Sequence, residues 1–208
     1  RTLENFKSFI TEAKEDKYRI VVLSVEHGDN SITSKRIKEE AEKLDLPSYV
    51  IGIDGSYILY DNGSYKIYEL DDEKGFEISS SDTVVFIRGT PTKDSSLDLI
   101  SELEKIGICV VNSRVTISTA ADKYRTYIKL KDYGLTQPKT VLIPNEKFLE
   151  IAVKNLDAKF PLIMKTLRGS KGVGVLFIES ERALSSIVQL MYKTDSNTDL
   201  LIQEYIET

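Results

Sequence analysis

Apolar residues in this chain fall into short unbroken runs separated by longer stretches of helical periodicity, an alternation that predicts a mixed α/β protein. Ile20 to Val25 and Thr83 to Ile87 are continuous runs, the pattern of strands buried on both faces of a parallel sheet. Tyr49 to Ile53 and Ile108 to Val111 read as further strands. Between them, Ser31 to Leu44 predicts a charged helix with Ile37, Ala41 and Leu44 at helical spacing, and Leu97 to Ile106 predicts another, stopped by Gly107. Leu3 to Ala13 reads as a short amphipathic helix. Tyr57 to Tyr60 and Tyr65 to Leu70 flank Asp61-Asn62-Gly63 and predict a β-hairpin, because Asn-Gly suits a turn with positive φ at both central residues. The β-α-β-α order describes a small doubly wound unit whose ligand-facing rim lies at the carboxyl ends of its strands. Glu26, His27, Arg88 and Asn112 follow strands, and Arg88 and Asn112 are taken as candidates for a substrate rim.

After Asn112 the pattern changes. Ser113 to Tyr133 is expected to be helical, with Thr119 and Asp122 in capping-box-like spacing and Gly134 as its stop. A strand at Thr140 to Ile143 and a helix from Asn145 to about Leu156 follow. Phe160 to Ile178, FPLIMKTLRGSKGVGVLFI, predicts strand, flexible loop, strand. Ser180 caps a helix to about Tyr192, and Asp199 to Ile206 reads as a last strand. The expected boundary near Asn112 to Ser118 gives two domains, 1–115 and 116–208.

Composition narrows the function classes. The 208 residues carry a net charge of −5 with 29% charged side chains, which argues against a broad nucleic-acid footprint. A local basic loop in an acidic protein instead suits a small anionic ligand. Cys109, the one cysteine, lies in an apolar run and is expected to be a small core residue. With no disulfide possible within the chain, a reducing, cytoplasmic setting is expected. No apolar run reaches the roughly 18 residues that span a membrane, and no signal peptide is visible. The chain begins with Arg1 rather than Met, so a processed or longer product is expected. Asp71, Asp72 and Glu73 read as a solvated loop rather than a metal site.

Chemistry concentrates around the glycine-rich loop. Gly169, Gly172 and Gly174 permit close backbone approach and positive φ, so their N–H groups can turn toward an anion. Arg168, Ser170 and Lys171 place donors and charge in the same loop, yet no Gly-Lys-Ser/Thr opens a helix. The loop is either a phosphate-covering hairpin or a plain surface hairpin. Lys165 interrupts the apolar run Leu162-Ile163-Met164, where a lysine needs an anionic partner or a path to water. Lys123 opens a predicted helix, where the macrodipole disfavours a cation unless Asp122 or a bound phosphate offsets it. Glu204 in LLIQEYI faces either solvent or a flat apolar ligand.

The order of these features, in VVNSRVTISTAADKYRTYIKL, LTQPKT, FPLIMKTLRGSKGVGVLFIES and LLIQEYIE, resembles the ATP-grasp superfamily, and most closely the RimK-like carboxylate–amine ligases. The resemblance runs from about Asn112 onward, and residues 1–115 look like the smaller domain that precedes the grasp. It implies that Lys123 and Lys165 contact ATP phosphates and that Gly169, Ser170, Lys171, Gly172 and Gly174 form the flap over them. Glu204, Tyr205 and Ile206 would line the adenine. It further implies amide formation from a carboxylate and an amine, an amino acid or peptide, through an acylphosphate, with ATP and magnesium. The family's metal ligands fall in segments with no counterpart here, so they are expected beyond this chain, which alone is expected to be inactive. The alternative is a non-catalytic nucleotide-binding or assembly protein on the same fold. A half-open fold also leads us to expect self-association.

Overall fold

The computed structural model describes residues 18–25, 31–70, 72–169 and 172–207, and the chain divides into two compact units, Arg1–Ile117 and Ser118–Thr208. The helix expected at Leu3 to Ala13, the rim residues Glu26 and His27, and Asp71 lie outside the described residues.

In the first unit, β1 (Arg19–Ser24), α1 (Ile32–Lys43), β2 (Ser48–Gly52), β3 (Ser56–Asp61), β4 (Ser64–Glu69), β5 (Phe76–Ile78), β6 (Thr83–Arg88), α2 (Asp94–Ile106) and β7 (Cys109–Val111) follow one another. Strands β2-β1-β6-β7 form an all-parallel sheet. Its apolar runs are continuous because both faces are covered. Val21 and Leu23 enter one core with the α2 residues Ile100 and Leu103, while Ile20 and Val22 enter another with Ala41 of α1. The order places a switch between β1 and β6, where the Val25 N–H donates to the Arg88 carbonyl at 3.0 Å. Gly89 is required there, since a Cβ would sit 2.9 Å from that of Val25 and φ is +84°.

The hairpin forms as expected, with Asn62 and Gly63 both at positive φ. β5, which the pattern did not announce, joins it to make a separate antiparallel sheet, β3-β4-β5. A three-residue strand is too short to show periodicity, and β5 is held by burying Ile78 against the Ile67 core. Cys109 is corrected: it is exposed. β7 is an edge strand, and of its residues only Val110 packs on the core, so Cys109 turns outward.

The helix α3 (Arg114–Ala120) spans the junction between the units. The second unit continues with α4 (Lys123–Asp132), β8 (Thr140–Ile143), a 3-10 turn at Glu146–Phe148, α5 (Leu149–Leu156), β9 (Leu162–Thr166), β10 (Val175–Ile178), α6 (Glu181–Thr194) and β11 (Leu200–Glu204). The helical stretch expected over Ser113 to Tyr133 is two helices. Asp122 breaks it, because its carboxylate accepts from the N–H groups of Tyr124 and Arg125, both at 2.9 Å, and so caps α4 instead of continuing α3.

Strands β10-β9-β11-β8 form an antiparallel sheet. One face is the core: Ile143, Leu162, Met164, Ile178, Leu200 and Ile202 pack under Leu156 of α5 and Leu184 and Val188 of α6. By strand alternation, Thr140, Lys165, Leu201 and Gln203 lie on the opposite face. That face carries the site.

Candidate functional site

The N-terminal part of α4 and the open face of the β8, β9 and β11 sheet enclose a cleft of about 350 Å³. Its polar lining is Lys123, Thr126 and Tyr127 from α4, Gln137 from the segment before β8, and Thr140, Lys165 and Gln203 from the sheet. Lys123 and Lys165, far apart in sequence, thus share one cleft. Among the described residues its lining includes no carboxylate.

Each lysine is held by an uncharged acceptor. The Lys165 ammonium donates to Gln203 Oε1 at 2.6 Å, and Lys123 Nζ donates to the Gly169 carbonyl at 3.2 Å. The Lys123 N–H also donates to the Leu167 carbonyl at 2.9 Å, which ties the start of α4 to the chain leaving β9. Burial, and then repulsion from Lys123, push the Lys165 ammonium below its ordinary pKa. Two cations lining one cleft, with no carboxylate among its described lining residues, suit it electrostatically to an anion.

The glycine loop leaves β9 and returns in β10, as the strand-loop-strand pattern predicts. Gly169, Gly172 and Gly174 all have positive φ. Gly174 is indispensable in shape, because an added Cβ would collide with the Thr166 side chain, whose hydroxyl donates to the Arg168 carbonyl at 2.7 Å. Gly169 reaches Lys123; Ser170 and Lys171 lie outside the described residues.

The remaining expected residues do not line this cleft. Glu204 has the opposite parity to Gln203 on β11, and its Oε1 accepts from the Lys139 N–H at 2.7 Å. β11 ends at Glu204, so Tyr205 and Ile206 lie beyond the strand, Tyr205 standing edge-on to Phe177 with centroids 5.2 Å apart. Arg88 and Asn112 belong to the first unit, where Arg88 Nε donates to Thr33 Oγ1 at 3.4 Å.

Sequence reasoning noted Gln203 and Thr140 as strand residues but gave neither a role in the site. The only available signal was parity: in LLIQEYI, Gln203 is the polar residue two positions from buried Leu201, and which side of the sheet that meant depended on the partner strand.

Residues 120–208 match the model of the RimK-like ATP-grasp domain. By this match the second unit resembles a RimK-like ATP-grasp domain. The ATP-grasp match holds the cleft, both lysines and the glycine loop. A probable alpha-L-glutamate ligase of Vibrio vulnificus (strain YJ016) is 28% identical over 134 residues, covering 64% of this chain and 44% of that protein. The probable alpha-L-glutamate ligase 2 of Pseudoalteromonas atlantica is 25% identical over 189 residues, 91% of this chain and 60% of its own. The chain thus spans about half the length of these curated relatives.

Among solved structures, the RimK domain ATP-grasp protein of Sphaerobacter thermophilus superposes with a TM-score of 0.64 at 19% identity, covering 91% of this chain and 64% of that one. The D-alanyl-alanine synthetase A of Vibrio cholerae gives 0.63 at 14% identity, covering 92% and 60%. At such identities the likeness concerns the fold, in which a mixed α/β chain carries the ATP-grasp sheet.

Proposed function

We propose that this chain serves an ATP-dependent carboxylate–amine ligase and that the cleft between α4 and the sheet receives the ATP phosphates. The convergence of Lys123 and Lys165 beside the glycine loop, with no carboxylate among the lining residues, carries the reading. A polyphosphate there would replace the two uncharged acceptors with charged ones and relieve the repulsion between the lysines. Gly169, Ser170, Lys171, Gly172 and Gly174 are assigned as its flap, and Glu204, Tyr205 and Ile206 as the adenine edge, on the strength of the family resemblance. Arg88 and Asn112 are assigned to the carboxylate or amine substrate.

In the proposed reaction a substrate carboxylate oxygen attacks the γ-phosphorus and ADP leaves. An amine then attacks the acyl carbon, phosphate leaves, and an amide remains. The names of the relatives favour glutamate as one substrate. The family implies magnesium. The described residues hold no group of three or more His, Cys, Asp or Glu side chains that could bind a metal ion, so no residue here is assigned to it. No helix among the described residues is long and apolar enough to cross a membrane, and a cytoplasmic setting is part of the proposal.

Calorimetric titration of the chain with ATP tests the site. Lys123→Ala and Lys165→Ala should each weaken binding about tenfold, the scale of one charge-assisted hydrogen bond. Unchanged affinity in both variants removes the assignment. ADP release with magnesium, glutamate and an amino-acid acceptor tests the ligase activity separately.

A further inference from the structure

We propose that Gln203 is a positioning residue that orients the Lys165 ammonium into the cleft through a directed hydrogen-bond chain running Lys165–Gln203–Thr140–Pro138. The chain spans three adjacent strands on the open face of the sheet. Lys165 Nζ donates to Gln203 Oε1 at 2.6 Å, Gln203 Nε2 donates to Thr140 Oγ1 at 2.8 Å, and Thr140 Oγ1 donates to the Pro138 carbonyl at 2.9 Å. The inference rests on the reading of the cleft as a phosphate site, but the chain itself does not.

Its polarity follows from the terminal group. A backbone carbonyl only accepts, so the Thr140 proton points at Pro138 and the hydroxyl lone pairs are left to accept. The Gln203 amide must then present its NH₂ to Thr140 and its oxygen to Lys165. An amide flipped the other way would set its oxygen against the hydroxyl lone pairs and its NH₂ against the ammonium, and would oppose both. Pro138, anchored at the start of β8, therefore decides which face of an amide the lysine meets on β9.

The titratable side chains lining the cleft are Lys123, Tyr127 and Lys165. Lys123 opposes the charge on Lys165, burial opposes it further, and Gln203 is the group in contact that favours it. Register explains why this falls to Gln203. Gln203 pairs directly with Thr140 on one side and with Ile163 on the other, so its amide stands diagonal to Lys165 on the same face. A lysine four bonds long would otherwise sweep a wide arc. A fixed acceptor confines it to the cleft side.

The test is an NMR titration of the Lys165 amine in the 208-residue chain labelled with 15N-lysine, beside calorimetry with ATP. Gln203→Leu should lower the Lys165 pKa, because the ammonium loses its acceptor, and weaken ATP about tenfold. Gln203→Glu should raise the Lys165 pKa and still weaken ATP, because a carboxylate competes for the lysine and repels phosphate. Thr140→Val, which frees the amide to flip, should lower the pKa as Gln203→Leu does, and Thr140→Ser should restore it. A purely structural role would change the melting temperature and leave these opposite pKa shifts absent. A Lys165 pKa that is the same in Gln203→Leu as in the parent overturns the proposal. If the pKa shifts appear while Lys165→Ala leaves ATP affinity unchanged, the positioning chain is upheld and the phosphate reading falls.

Discussion

Replacing Asp122 with alanine should cost the second unit about 2 kcal/mol and loosen the proposed phosphate site with it. Asp122 is 6% exposed, and one carboxylate oxygen accepts from two backbone N–H groups at 2.9 Å each, those of Tyr124 and Arg125. Losing an N-cap costs about 0.5–2 kcal/mol, and the loss of two bonds to a buried carboxylate selects the upper end. The ion pair with Arg125, at 3.8 Å and largely exposed on the arginine side, adds little. For a unit of this size about 2 kcal/mol lowers the melting midpoint by roughly 8–16 °C. The effect should reach the cleft, because α4 begins at Lys123 and its first N–H is tied to Leu167. Circular-dichroism melts of the parent, Asp122→Ala and Asp122→Asn, with ATP titrations of each, check this. Asparagine keeps a capping oxygen and should restore most of the midpoint. A midpoint in Asp122→Ala equal to the parent's would refute the argument, since it would mean that the cap is not what separates α3 from α4.

Further expectations concern charge, shape and surface. The folded pKa of Lys165 lies below its unfolded value, so the unfolded chain binds more protons between the two and stability rises with pH across that window. Lys165→Met should therefore melt no lower than the parent near neutral pH and lose that alkaline gain, as thermal melts across pH would show. Burial, then Asp199 and Glu146, push the Tyr192 hydroxyl upward, and it donates to the Ile143 carbonyl at 2.6 Å. Its stabilisation is present below the ordinary tyrosine pKa and lost as pH rises through about 10, so Tyr192→Phe should cost about 1 kcal/mol at neutral pH and less in alkali by denaturant unfolding. Gly174→Ala combines positive φ with a clash against Thr166 and should destabilise by about 1–3 kcal/mol while weakening ATP. β10 is an edge strand with Phe177 53% exposed beside Tyr205, so Phe177→Lys should suppress any concentration-dependent association seen by sedimentation.

Much of this molecule is legible in one dimension because its elements are specified locally. The unbroken run Ile20 to Val25 announces a strand covered on both faces, since an exposed face would have required alternating polar residues, and the two cores on either side of β1 are the consequence. Asn62-Gly63 and Gly107 act through backbone conformations that few other residues adopt. Lys123, Lys165 and the glycine loop drew attention because each is locally costly: a cation at a helix start, a lysine in an apolar strand, and a cluster of flexible residues.

What local pattern could not settle was which of these residues look at one another. Residue alternation names two faces of β11 but not which is buried; that depends on α5 and α6 covering one side of the sheet. Register then put Gln203 beside Lys165 and Thr140, and turned Glu204 to the Lys139 backbone. The same dependence exposes Cys109, apolar in its neighbours yet on an edge with nothing outside it. From sequence alone came most of the strands and helices and the two lysines, because propensity and periodicity act over a few residues. The cleft and the Gln203 amide that meets Lys165 came only from tertiary structure, because strand pairing joins residues nearly forty positions apart and a shift of one residue would reverse every face.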